Sequence, residues 1–290
     1  MSGGLAIQSD FVTRFAPSPS GLLHKGHAYS ALMAFQVAQR AGARFLLRIE
    51  DIDTTRCKPE FTIAIYEDLA WLGIAWEKPV RIQSEHFEDY ATALGRLKDM
   101  GVVYPCFCTR KDIQAEIAKS PSAPHGPDGP IYPGTCRPLS ADEQEARIAA
   151  GEAHAWRLDL KAALAITGNQ LTWQDEHKGL VKATPEELGD VVLARKDTPT
   201  SYHLSVVHDD ALQGITHIVR GEDLWHATHI HVVLQKLLGY PTPTYSHHRL
   251  LTDEHGKRFA KRDKALTLRA IRDSGVGADE LIKSLRLDPG

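Results

Sequence analysis

The chain has 290 residues, 42% of them hydrophobic and 24% charged, which suits one large or two medium globular domains with a substantial core. No apolar run approaches the roughly 20 residues that span a bilayer, and residues 1–10 are neither basic nor apolar enough for a secretion signal, so a cytoplasmic protein with no membrane partner is expected. A formal net charge of −3 argues against a nucleic-acid binder that works by bulk charge; any RNA contact has to come from a local basic patch.

Residues 11–15 alternate apolar and polar and read as a short strand. Residues 28–41 are rich in Ala, Leu, Met and Gln, without Gly or Pro, and read as a helix that Gly42 should stop. Residues 43–50 read as a second strand, which completes a βαβ unit, the building block of a parallel sheet. Ligands of such sheets sit at the carboxyl ends of the strands, against a helix N-terminus. Here that place holds Pro17 and Pro19, which stiffen the turn, and Gly21 and Gly26, which let a ligand come close to the backbone. His24 and His27 are three apart and share one face of a helical first turn. Two imidazoles beside unpaired N–H groups suit a polyphosphate. At the end of the second strand Glu50, Asp51 and Asp53 put three carboxylates together, which is costly unless a cation sits there.

An amphipathic helix is expected over residues 59–73, with Ile63, Tyr66, Leu69, Ala70 and Trp71 as its apolar side, and another over residues 85–100. Three of the four cysteines, Cys106, Cys108 and Cys136, lie before and near the end of the proline-rich residues 120–138; Cys57 stands apart as an ordinary thiol. A loop of that kind needs a clip. Cys-x-Cys is poorly placed for a mutual disulfide, so a zinc ion is the natural choice. No fourth ligand is obvious, though His125 is a candidate. Ser140 to Glu143 spells a capping box for a helix to about residue 150. Strands follow at residues 155–160 and 171–174. Residues 98–190 thus look like an insertion between two halves of a nucleotide-binding fold.

The strand–helix order returns after Thr184-Pro185, which starts a short helix. Residues 191–195, 201–207 and 215–220 read as strands, the last feeding a helix that stops near Gly239. Arg220 and Arg14 then lie at carboxyl ends of two strands, where a pair of guanidiniums can clasp a carboxylate through two-pronged bonds. Five of the eight residues 257–264 are basic. The expected class is α/β: a Rossmann-type parallel-sheet nucleotide-binding fold split by an inserted zinc-containing α+β subdomain. Its parts are residues 1–97, 98–190 and 191–250, with a basic phosphate loop and helical end at 251–290.

The run Arg14-Phe15-Ala16-Pro17-Ser18-Pro19-Ser20-Gly21-Leu22-Leu23-His24-Lys25-Gly26-His27, taken with Glu50 and the late Lys-Arg cluster, closely resembles the class I aminoacyl-tRNA synthetases, within them the glutamyl branch. His24-Lys25-Gly26-His27 matches the His-Ile-Gly-His motif, with Lys25 where an apolar residue is common. The resemblance implies ATP bound by His24, Gly26, His27 and Lys261, with Mg²⁺ carrying the triphosphate. Glutamate would then be held by Arg14, Phe15, Ala16, Pro17, Ser18, Glu50, Tyr202 and Arg220, with Glu50 facing its amino group. Arg258-Phe259-Ala260-Lys261-Arg262 aligns with the Lys-Met-Ser-Lys-Ser loop; Lys261 keeps the phosphate-binding lysine, while Arg258 and Ala260 depart from the pattern.

The same branch pairs Cys-x-Cys with Tyr-x-x-x-Cys, which implies that Tyr132 joins Cys106, Cys108 and Cys136 around one structural Zn²⁺. It also implies that the inserted part contacts tRNA. The implied reaction is attack of the glutamate α-carboxylate on the α-phosphorus of ATP, without tRNA. Full-length glutamyl enzymes continue into a helical anticodon-binding region. Shortened relatives without it transfer glutamate to the cyclopentene diol of queuosine in the anticodon of tRNA(Asp). The chain ends at Gly290, and the expectation follows those relatives: a monomer whose partners are L-glutamate, ATP and queuosine-containing tRNA(Asp). Its alternatives are a compact enzyme charging a tRNA 3′ end, another His-x-Gly-His nucleotidyl transferase, and a non-catalytic tRNA-binding paralogue.

Overall fold

The structure, a computed structural model, describes residues 11–119, 125–127, 129–251 and 267–287. The first part comprises β1 (Val12–Phe15), α1 (Lys25–Arg40), β2 (Arg44–Ile49), α2 (Pro59–Trp71), β3 (Glu77–Ile82) and α3 (Phe87–Asp99). Next come β4 (Val103–Cys106), α4 (Arg110–Lys119), a small hairpin of β5 (His125–Gly126) and β6 (Gly129–Pro130), then α5 (Ala141–Ala149), β7 (Ala155–Leu158), α6 (Leu160–Thr167), β8 (Thr172–Asp175) and β9 (Gly179–Lys182). The last part holds β10 (Val192–Ala194), α7 (Tyr202–Leu212), β11 (His217–Gly221), α8 (Trp225–Leu238), β12 (Thr244–His248), α9 (Leu268–Asp273) and α10 (Ala278–Leu285).

β1, β2 and β3 are parallel neighbours, as are β11, β12 and β8, with β9 added antiparallel as a hairpin partner. The two groups meet where the Thr216 N–H donates to the Val12 carbonyl at 3.0 Å and the Val12 N–H to the Thr216 hydroxyl at 2.9 Å. The order across the sheet is therefore β3-β2-β1-β11-β12-β8-β9, the α/β parallel sheet the sequence leads one to expect. The order in which strands are added reverses between β1 and β11, and the crevice at such a switch point is where doubly wound sheets bind ligands. α1 closes one face by burying Ala28, Tyr29, Ala31, Leu32 and Ala34 against Phe15, Leu47 and Val219. Gly42 (φ +59°) and Gly239 (φ +70°) take the left-handed conformation that ends α1 and α8.

Several expectations are corrected. Residues 201–207 are not a strand but the start of α7. The aromatic and β-branched residues Tyr202, Val206 and Val207 suggest a strand, yet the Ser201 hydroxyl accepts the Leu204 N–H, and helical spacing buries Leu204, Val207 and Asp210 together. β10 does not join the parallel sheet; it pairs antiparallel with β7, which in turn pairs antiparallel with β4. Conversely β8 lies beside β12, so strand pairing crosses residue 190 in both directions. On α2 the buried face runs through Ala64, Ile65, Asp68 and Leu69, while Ile63 and Ala70 face solvent. No helix among the described residues is long and apolar enough to cross a membrane.

Candidate active site

A cavity of about 320 Å³ opens at the β1–β11 crevice. Arg14, Phe15 and Ala16 from the end of β1 line one side, Arg220 and Gly221 from the end of β11 the other, with Glu50, Tyr202, His24 and His27 completing it. Pro17 and Ser18 do not line it. The Pro17 carbonyl instead accepts the Glu50 N–H at 3.0 Å, tying the turn to the end of β2, and Ser18 is exposed.

The His-x-Gly-His segment forms a capping box. His24 is the N-cap of α1; its Nδ1 accepts the Gly26 N–H at 3.1 Å, and His27 Nδ1 accepts the His24 N–H at 3.2 Å. Accepting a backbone N–H leaves each Nδ1 unprotonated and puts the ring proton on Nε2. The rings, 3.8 Å apart, therefore carry Nε2–H donors at a helix N-terminus. Gly26 is needed because a Cβ there would stand 3.0 Å from His24 Cε1 and 3.1 Å from its Nδ1. Gly26→Ala should change folding stability by less than about 1 kcal/mol, since the helix propensity gained by Ala is offset by the weakened His24 cap. It should also lower ATP use by about tenfold, the scale of a weakened donor to developing charge. Thermal melts and steady-state kinetics on one preparation check both. A larger fall in stability with normal kinetics would contradict this.

Charge is arranged unevenly around the cavity. Arg14, buried, donates from Nε and Nη2 to Asp210 at 2.9 and 3.4 Å. Arg48, also buried, donates to Asp210 at 2.8 Å and to Glu50 at 3.0 Å. Arg48 Nε also lies 3.7 Å from Asp209 Oδ2, and Arg81 holds that carboxylate at 2.7 Å, so each acidic group beside Arg14 and Arg48 has a guanidinium partner. Arg14 and Arg48 hold the Asp210 carboxyl below the usual range despite its burial, while burial, the larger effect at Glu50, raises that carboxyl against the pull of the same arginines.

Arg220 is different. It is only 5% exposed, and its hydrogen-bond partners among the described residues are all neutral: His247 Nε2 at 3.2 Å, Tyr202 Oη at 3.4 Å, the Leu224 carbonyl at 3.1 Å and Thr228 Oγ1 at 2.5 Å. Among the described residues no carboxylate lies within ion-pair distance of it. A buried cation without a counter-ion is expensive, and here it faces a cavity. Among the described residues, Arg220 is thus a cation at the cavity with no carboxylate paired to it.

Lys261 and the rest of residues 257–264 lie outside the described residues. Both flanks of that segment reach the site. Leu251 lines the cavity, and Thr267 bridges to His24 while the Leu268 N–H donates to the Leu23 carbonyl at 2.8 Å.

Away from the cavity, Cys106, Cys108 and Cys136 place their sulfurs within 4.8 Å of one another. The Tyr132 hydroxyl sits among them, 3.3 Å from Cys106 Sγ and 3.6 Å from Cys108 Sγ, and Cys108 and Cys136 Sγ are 3.4 Å apart. A tetrahedral zinc with bonds of about 2.0–2.3 Å separates its ligand atoms by about 3.5 Å, so these four donors suit one ion. The His125 side chain lies outside the described residues.

Sequence reasoning did not find Arg48, Asp210, Asp175 or His247. The signals were a charge inside an apolar strand, an acidic pair inside a largely buried helix, and two ionisable residues on sheet strands.

A doubly wound sheet with a histidine capping box at the first βα turn, and a second strand supplying a cation across the crevice, defines a nucleotide-using catalytic domain of the class I synthetase kind. Over residues 10–288 the chain matches the family described as tRNA synthetases class I (E and Q), catalytic domain, and it belongs to that family. It is a ligase of the aminoacyl-tRNA synthetase type. It is 49% identical to the glutamyl-Q tRNA(Asp) synthetase of Rhodobacter capsulatus, over 95% of this chain and 100% of that one. It is 42% identical to the enzyme of the same name from Symbiobacterium thermophilum (94% and 84%), and 36% identical to the glutamate–tRNA ligase of Aquifex aeolicus (95% and 56%). Among solved structures it resembles a glutamate tRNA ligase from Elizabethkingia meningosepticum in complex with its amino acid. There the TM-score is 0.74 and the identity 27%, covering 88% of this chain and 52%, about half, of that one.

Proposed function

We propose that the protein, a cytoplasmic monomer, activates L-glutamate with ATP in a step that needs no tRNA, and passes the glutamyl group to queuosine in the anticodon of tRNA(Asp). The observation that carries the first half is Arg220, a buried guanidinium at the rim of a cavity whose partners among the described residues are neutral. The glutamate side-chain carboxylate supplies the counter-charge, with Tyr202 alongside. Glu50 takes the amino group, Phe15 and Ala16 contribute the wall beside it, and Arg14, neutralised by Asp210, contributes shape and its remaining N–H. A glutamine side chain leaves Arg220 uncompensated, and a polar site rejects an analogue that leaves its buried groups unpaired.

In the reaction the α-carboxylate, already ionised at neutral pH, attacks the α-phosphorus and pyrophosphate leaves; Mg²⁺ would serve as counter-charge to the triphosphate. Negative charge builds on phosphoryl oxygens, and the Nε2–H groups of His24 and His27, with Lys261, are the donors assigned to it. Holding the two substrates in line supplies a further several kcal/mol. A hydrolytically inert glutamyl-adenylate mimic tests this pairing. It should compete with both glutamate and ATP, and its glutaminyl counterpart should bind at least about 100-fold more weakly. Competition with only one substrate would overturn the reading.

Cys106, Cys108, Tyr132 and Cys136 are proposed to hold one Zn²⁺ that orders the proline-rich loop and takes no part in the chemistry. That loop belongs to residues 98–190, the proposed tRNA-contacting unit. Metal analysis of purified protein should return about one zinc per chain under the four-ligand rule. A zinc-free protein whose residues 109–131 resist protease just as well would contradict the assignment.

The queuosine half is supported by relatives 49% and 42% identical over nearly all of this chain, whose names carry that acceptor. The basic residues 257–264 are the proposed track for the anticodon loop.

A further inference from the structure

Behind Arg220, on the side away from the cavity, lies a chain of buried polar groups. His247 Nε2 faces Arg220 Nε at 3.2 Å, and His247 Nδ1 faces Asp175 Oδ2 at 2.9 Å. Both His247 and Asp175 side chains are almost wholly buried. Trp173, Trp225 and Tyr245 surround the imidazole. The other carboxylate oxygen, Asp175 Oδ1, accepts two backbone N–H groups, those of His177 and Lys178, each at 3.0 Å.

These contacts fix every proton. Asp175 Oδ2 can only accept, so His247 Nδ1 donates. The neutral ring then has a lone pair on Nε2, and that lone pair accepts Arg220 Nε–H. Thr228 Oγ1, 3.4 Å from the same nitrogen, accepts from Arg220 Nη2 and completes the hold. The arrangement also spares Arg220 a direct partner charge. Asp175 is one ring away, so the guanidinium is held in place but not neutralised. A carboxylate in van der Waals contact would satisfy it and remove the reason to bind an anion.

We propose that Asp175 and His247 are positioning residues for amino-acid recognition: Asp175 sets the His247 tautomer, and His247 aims an uncompensated Arg220 at the substrate carboxylate. This rests on the reading of Arg220 given above.

The test uses the isosteric Asp175→Asn. The two backbone N–H groups of His177 and Lys178 would keep the new amide oxygen in the Oδ1 position, so its NH₂ would face His247 Nδ1. That forces the proton onto Nε2, which then meets Arg220 Nε–H donor to donor. The KM for glutamate should rise about 10- to 100-fold, the scale of one buried unpaired donor, with the KM for ATP within about twofold. His247→Gln gives the second arm. Its amide oxygen reaches roughly where Nε2 stood and accepts from Arg220 whatever faces it from behind. In a His247→Gln background Asp175→Asn should therefore add less than about threefold, a non-additivity expected only of groups acting through one another. An unchanged glutamate KM in Asp175→Asn, an equal rise in both KM values, or a full additional effect in the double variant would each overturn the inference. If Arg220→Ala itself left glutamate recognition intact, the reading of the site would fail instead, and the two failures are thereby distinguished.

Discussion

Arg220→Ala should abolish glutamate-dependent activity almost completely, lowering kcat/KM for glutamate by about 10² to 10³-fold. The estimate follows from the 2–5 kcal/mol typical of removing one member of a buried, hydrogen-bonded charge pair. The loss should fall on glutamate and leave ATP binding close to normal, because His24 and His27 stand on α1 and keep their own capping bonds. The melting temperature should change little. Arg220 is a buried charge whose partners among the described residues are neutral, so deleting it removes a desolvation cost along with its hydrogen bonds. Arg220→Lys should recover only part of the activity, since an ammonium cannot give two parallel bonds to a carboxylate. Near-normal kinetics in Arg220→Ala, with melting unchanged, would mean the carboxylate binds elsewhere.

Removing queuosine from tRNA(Asp) should have an effect as large. Transfer needs a hydroxyl to attack the carbonyl carbon of the mixed anhydride, with AMP as leaving group. The cyclopentene ring of queuosine carries two neighbouring hydroxyls, as does a terminal ribose. A guanosine at the same place presents no such ring, so its transfer rate should drop to background. Labelled glutamate should go onto tRNA(Asp) from ordinary cells, and onto neither tRNA(Asp) from cells unable to make queuosine nor tRNA(Glu). Undiminished charging of the queuosine-free tRNA would replace this acceptor with a 3′ end.

Local chemistry made part of this legible in the sequence. The turn from Pro17 to His27 states its own structure, because prolines, glycines and a capping pair act within a few residues of one another. The capping box at Ser140 and the stop at Gly42 were readable for the same reason. The cysteine cluster was readable because metal donors are few and their spacing is restrictive. What the sequence hid is tertiary. Arg14 meets Asp210 across 196 positions, and His247 meets Asp175 across 72, so no local pattern announces either pair. Arg14 and Arg220 look alike at two strand ends, yet only the fold reveals that one is matched by a carboxylate and the other is not. Tyr202 was expected in the site and lines it, but from the first turn of a helix, because the Ser201 cap and a buried helical face outweigh strand propensity.

This cavity, with Arg220 at its rim, is proposed to make glutamyl-adenylate unaided. ATP–pyrophosphate exchange, measured in the absence of tRNA with each amino acid in turn, tests it most directly. Exchange should appear with glutamate and with no other amino acid. Equal exchange with glutamine, or none with glutamate, would contradict the account.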